Sequence, residues 1–173
     1  NSNGSLLDEA AINELEMSGL DIIKISFYSL KDNVHNFLRG NSQSHASALN
    51  ALKLLSDSKI NVEVGILITS SNIRELPELI EYLCQFHNIA IVLQPLDERI
   101  GSKESKDMQT NSLLYDFWPD SKDVRIFFKW AIGNNKIIKN TRGNIKAMEE
   151  YYLYPGHVLK YRCFSGQRNL IIY

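Results

Sequence analysis

Three short apolar segments carry polar residues at alternate positions, and these are the first candidates for chemistry. Lys24 and Ser26 interrupt Asp21-Ile22-Ile23-Lys24-Ile25-Ser26-Phe27, and Glu63 and Gly65 interrupt the apolar run from Asn61 to Thr69. Gln94 closes the run from Ile89 to Leu93. Side chains of a strand alternate between faces, so each segment presents one apolar face and one polar face. Strands of a parallel sheet covered on both sides read as unbroken apolar runs, so the polar stripe implies a face that meets something wet. An ammonium, a hydroxyl, a carboxylate and an amide are groups that bind and orient a small polar ligand. Ser26, Thr69 and Gln94 fall at C-terminal strand ends, where parallel α/β folds hold their ligands. Each alone serves equally well as a strand-end cap or turn former; the three together favour a site.

The elements that must position these residues follow from periodicity. Helices are expected over Leu6 to Met17, Ser44 to Ser56, Ile73 to Phe86 with Asn72 as N-cap, Val124 to Ile132, and Asn144 to Tyr152. Strands are expected over 21–27, 61–69 and 89–94, the last stopped by Pro95. The segment between Phe27 and Ser44 reads as a linker carrying His35 and Arg39-Gly40, and 97–109 reads as a polar surface loop. Alternating strands and helices predict an α/β fold with a parallel sheet, either a barrel or a doubly wound sheet. Leu170 to Tyr173 reads as a strand at the end of the sequence, and the loop-like opening Asn1 to Gly4 makes a fragment the expectation.

Composition excludes more than it assigns. The chain has 173 residues, 44% hydrophobic and 23% charged, a globular balance. Its formal charge of −1 removes the electrostatic case for a dedicated nucleic-acid binder or a polybasic membrane module. No apolar run approaches the roughly 18 residues that span a bilayer, and no export signal is seen, so a soluble cytoplasmic chain without membrane partners is expected. Two cysteines, Cys84 and Cys163, cannot build a disulfide scaffold or a four-thiolate metal site. Cys84 lies in an apolar helical pattern and is expected to be a small buried hydrophobe.

The order Ser2-Asn3-Gly4, Ile25-Ser26-Phe27, His35, Arg39-Gly40, Ile60-Asn61-Val62, Asn72 and Gln94-Pro95-Leu96 resembles the later half of the core of radical S-adenosylmethionine enzymes. The resemblance covers residues 1–96. Tyr161-Arg162-Cys163-Phe164-Ser165-Gly166, running into Leu170 to Tyr173, is similar to the start of the auxiliary-cluster extension of the SPASM or twitch type. The resemblance implies a fragment of a partial (β/α) parallel barrel, half of a TIM-like barrel, over 1–96. Residues 97–173 would then lead into an accessory region.

By the same resemblance, Ser26 corresponds to the position that meets the cofactor ribose. Residues from Val64 to Leu67, with Gly65, and from Leu93 to Gln94 correspond to those flanking the adenine. Lys24 and Glu63 would face the lumen near S-adenosylmethionine or a small-molecule or peptide substrate. Cys163 would be a ligand of an auxiliary cluster, or else a free thiol. The family's CxxxCxxC loop, whose three thiolates hold a [4Fe–4S] cluster, has no counterpart here, nor has its Gly-Gly-Glu segment. Both would precede residue 1, so this chain alone is not expected to cleave the cofactor. The open edges of a half-barrel also imply self-association. Two alternatives stay open: another α/β-barrel enzyme, aldolase-like or phosphate-binding, although no glycine-rich phosphate loop is visible, and a non-catalytic binding or scaffold module.

Overall fold

In the computed structural model, residues 1–96, 116–134 and 136–155 are described. The expected loop over 97–109, Cys163 and the expected strand over 170–173 lie outside them. β-branched residues at alternate positions build three strands, β1 (Ile22–Ser26), β2 (Asn61–Leu67) and β3 (Ile89–Gln94). They form an open sheet of order β1-β2-β3, and both pairings are parallel. The helices are α1 (Glu9–Met17), α2 (Asp32–Arg39), α3 (Ser44–Ser56), α4 (Leu76–Leu83), α5 (Ser121–Gly133) and α6 (Arg142–Leu153). No helix among the described residues is long and apolar enough to cross a membrane.

One face of the sheet is dry. Ile23 and Ile25, Val62, Val64 and Ile66, and Ile89, Ile91 and Leu93 are buried in a single apolar cluster. Every described helix except α2 adds to this cluster, including Phe127 and Phe128 of α5 and Tyr152 of α6. The opposite face, which carries the polar stripe, is half-buried apart from the buried Gly65 and the exposed strand starts Ile22 and Asn61. Both outer strands gain a short neighbour. Ser2 pairs in parallel beside Ile25, and Ile138 beside Ile91.

Helix ends follow local chemistry. The Asp8, Asp120 and Thr141 side chains accept from backbone N–H groups in the first turns of α1, α5 and α6. Gly40 ends α2 at φ 64°, a left-handed conformation that costs a residue without Cβ nothing.

Four expectations are corrected. The segment after β1 is not a plain linker, since Asp32–Arg39 is helical and its single buried residue is His35. α4 begins only at Leu76, after a turn, and Asn72 is not its N-cap. Because that helix stops at Leu83, Cys84 lies beyond the apolar stripe and is exposed rather than buried. β2 ends at Leu67, two residues early, because Thr69 turns into a side-chain network described below.

Candidate functional site

The register brings the sequence candidates onto one surface. Lys24 lies opposite Glu63, Ser26 opposite Gly65, and Leu67 opposite Gln94, all on the half-buried face. Gly65 sits at the centre. A Cβ there would stand 2.9 Å from Lys24 Cε and 3.2 Å from Gln94 Oε1, so the two side chains close over the space that glycine leaves. Glu63 is paired from the far side: Lys139 Nζ donates to its Oε1 at 2.7 Å. Lys139 arrives there because residues 137–139 run beside β3, with the Lys139 N–H donating to the Ile91 carbonyl at 2.7 Å.

The C-terminal end of the sheet is held by side chains that reach between strands. Asn72 Nδ2 donates to the carbonyls of Tyr28 and Leu67 at 2.9 and 2.8 Å. Its Oδ1 accepts from the Thr69 N–H and hydroxyl at 2.8 and 3.1 Å. Asn72 therefore ties the ends of β1 and β2 together, and Thr69, wholly buried, belongs to that tie rather than to an open site. Tyr152 does the same for β2 and β3, its hydroxyl donating to the Ile68 carbonyl and accepting from the Leu96 N–H, each at 2.7 Å. Burial pushes this phenol well above its ordinary range. Asn140 completes the set by bonding both backbone groups of Leu93.

His35 organises the outer corner. A lone histidine in a loop is ordinarily solvated, whereas this one has no exposed surface. Its Nδ1 accepts from the Tyr28 N–H at 3.1 Å, and its Nε2 lies 3.2 Å from Ser44 Oγ. A backbone N–H can only donate, so Nδ1 is unprotonated and the neutral ring donates from Nε2 to Ser44. Burial, reinforced by His45 and Arg39, lowers its pKa to about 4. This neutral ring joins the end of β1, α2 and the start of α3. Arg39, at the last turn of α2, donates to the Tyr28 hydroxyl at 3.1 Å and lies over that ring at 5.5 Å.

Beside it is a polar cavity of about 170 Å³ lined by Asn3, Ser5, Arg39, Asn41, Gln43, Ser44 and Ser47. Arg39 is its one charged residue, and the first turn of α3 opens into it, so the cavity suits an anionic oxygen group. It adjoins β1, because Asn3 follows Ser2, whose carbonyl accepts from the Ser26 N–H at 3.3 Å.

The iron–sulfur expectation rests on Cys163 and on thiolates outside this sequence, none of which is among the described residues. Among the described residues no three His, Cys, Asp or Glu side chains converge as a metal site, and Cys84 stands by itself at the end of α4. These residues do not fit a [4Fe–4S] cluster. Sequence reasoning missed Lys139, Asn140 and Tyr152, whose partners lie 47 to 84 positions away. Arg39 was visible as part of Arg-Gly, but its cavity was not. No protein-family model matches the chain, and no curated protein matches it with significant similarity.

Proposed function

We propose that this chain supplies part of the binding wall of a radical S-adenosylmethionine enzyme. In this reading the three strands are a segment of a partial barrel whose uncovered face holds the cofactor and a small-molecule or peptide substrate. One observation carries it: Lys24, Ser26, Glu63, Leu67 and Gln94 share the half-buried face around Gly65, while the opposite face is packed with helices. A sheet with one dry, helix-covered face and one polar face is what a barrel wall requires. The order of Ser26, His35, Arg39-Gly40 and Asn72 along the chain supports the same family.

The residues present fit the organic cofactor. Ser26 offers a hydroxyl at a strand end, as a ribose needs, and the Lys24 and Gln94 side chains that lie over Gly65 are flexible ends able to move aside for a flat ring. S-adenosylmethionine supplies a sulfonium whose reductive cleavage starts the family's chemistry. The cluster that delivers the electron would take its thiolates from outside this sequence, which contains only two cysteines.

The test is calorimetric titration of S-adenosylmethionine into the chain and into two variants. Losing one neutral hydrogen bond costs about 0.5–1.5 kcal/mol, so Ser26→Ala weakens affinity about 2- to 13-fold with an unchanged melting curve. Ile25→Ala, on the buried face, instead lowers stability by roughly 2–5 kcal/mol through a cavity. Absence of binding by the parent chain, or a Ser26→Ala variant that binds normally, overturns the reading.

A further inference from the structure

The charges on the open face are paired in an unexpected way. Lys24 and Glu63 are register partners on neighbouring strands, an arrangement in which opposite charges stabilise each other. Yet Glu63 takes Lys139 at 2.7 Å from beyond β3. Lys24 turns the other way and lies across Gly65 toward Gln94. Among the described residues the Lys24 ammonium has no ion pair or hydrogen bond, and the Ser26 hydroxyl and the Gln94 side chain have no hydrogen bond either. All three residues are half-buried. Among the described residues, two ammoniums against one carboxylate leave this face one positive charge in excess.

A packing role accounts for the Lys24 stem, which covers Gly65, but not for its head. A carboxylate on the facing register position is the natural partner of the Lys24 ammonium unless that carboxylate is engaged elsewhere, and a lysine whose stem packs on the sheet still presents its charged head to whatever occupies the face. The Lys139–Glu63 bond removes the competing anion. What remains is an ammonium, a hydroxyl two positions along the same strand face, and an amide on β3.

We infer that Lys24, with Ser26 and Gln94, forms a subsite for an anionic oxygen group, a carboxylate or a phosphate, of the ligand held on this face, with Lys139 keeping Glu63 from occupying it. The inference rests on the open face being a ligand site. The anionic group belongs either to S-adenosylmethionine itself or to a separate substrate.

The experiment is an amide NMR titration of the isotope-labelled chain with malonate and with inorganic phosphate. Saturable shifts are expected at the Ser26, Gly65 and Gln94 amides. Lys24→Met, which keeps the stem over Gly65, weakens the response about fivefold or more. Glu63→Gln strengthens it, and Lys53→Met, on an exposed position of α3, leaves it unchanged. If Lys24→Met loses its dispersed spectrum, the Glu63→Gln comparison decides alone. Parallel titrations with S-adenosylmethionine and its decarboxylated form separate the sources. A loss in Lys24→Met confined to the intact cofactor assigns the subsite to its carboxylate, and unchanged cofactor binding with lost malonate or phosphate binding assigns it to a substrate. A parent chain that binds the small anions through Lys24 but not the cofactor keeps the subsite and discards the enzyme reading. Unsaturable shifts, or a Lys24→Met variant that titrates like the parent, overturn the inference.

Discussion

Because His35 is buried in its neutral form, acid should destabilise this protein in part through one identifiable group. The ring accepts one hydrogen bond through Nδ1 and faces Ser44 through Nε2, so a second proton on Nδ1 destroys the bond from Tyr28. Its pKa is lowered from 6.5 to about 4, chiefly by burial. The unfolded chain therefore binds this proton between pH 6.5 and 4 while the folded chain does not. The stability associated with neutral His35 is complete above pH 6.5 and is lost as pH falls through that window. The linkage relation gives a loss of about 2 kcal/mol at pH 5 and about 3 kcal/mol at pH 4. Urea denaturation of the parent chain and of His35→Asn, compared at pH 7, 5 and 4, measures it. Asparagine Oδ1 can take the place of Nδ1 but does not titrate. The variant is expected to be weaker at pH 7, having lost ring packing and the Ser44 bond, and its deficit should shrink by those amounts toward pH 4. Equal pH dependence in both proteins, or an NMR titration placing the folded His35 at pH 6 or above, refutes the reasoning.

Two further substitutions probe the open face and the strand ends. Gly65→Ala puts a methyl group against Lys24 Cε and Gln94 Oε1, both ends of flexible chains, so thermal stability should change by no more than about 0.5 kcal/mol while cofactor titration loses affinity. A drop in melting temperature like that of a core mutant would mean that the face is packed rather than open. Tyr152→Phe leaves the Ile68 carbonyl and the Leu96 N–H without their shared partner and should cost about 2–4 kcal/mol in urea denaturation; an unchanged midpoint would show that water replaces the hydroxyl.

The strands and their faces were legible because two-residue alternation is a strong local signal and the buried positions are β-branched or leucine. That signal also put Lys24, Ser26, Glu63, Gly65 and Gln94 on one surface before any coordinates. α2 was not read although Val34, Phe37 and Leu38 stand at helical spacing, because three apolar residues within eight positions are a short signal and do not face the core: the one buried residue is a histidine, and Phe37 is 65% exposed. A second readable cue was Arg39-Gly40, a basic last turn before a glycine cap. Cys84 was misread because a helical pattern was carried three residues too far, past Leu83. Lys139 and Tyr152 act over long separations, and nothing local in their sequence marks the carboxylate or the backbone groups they meet. The charge pairing that isolates Lys24 was therefore invisible, although Lys24 and Glu63 were both named.

The Tyr152 hydroxyl also imposes an order of events on synthesis. Its donor bond to Ile68 spans 84 positions and its acceptor bond from Leu96 spans 56, so all three strands leave the ribosome well before the latch that joins the ends of two of them. Closing so long a loop is slow, because the chain must lose its freedom before the contact returns anything. During that interval the Ile68 carbonyl and the Leu96 N–H remain open to water or to a passing strand. A nascent chain paused between residues 96 and 152 would thus carry a formed sheet with an unfinished end, which is the stage at which a chaperone has most to protect.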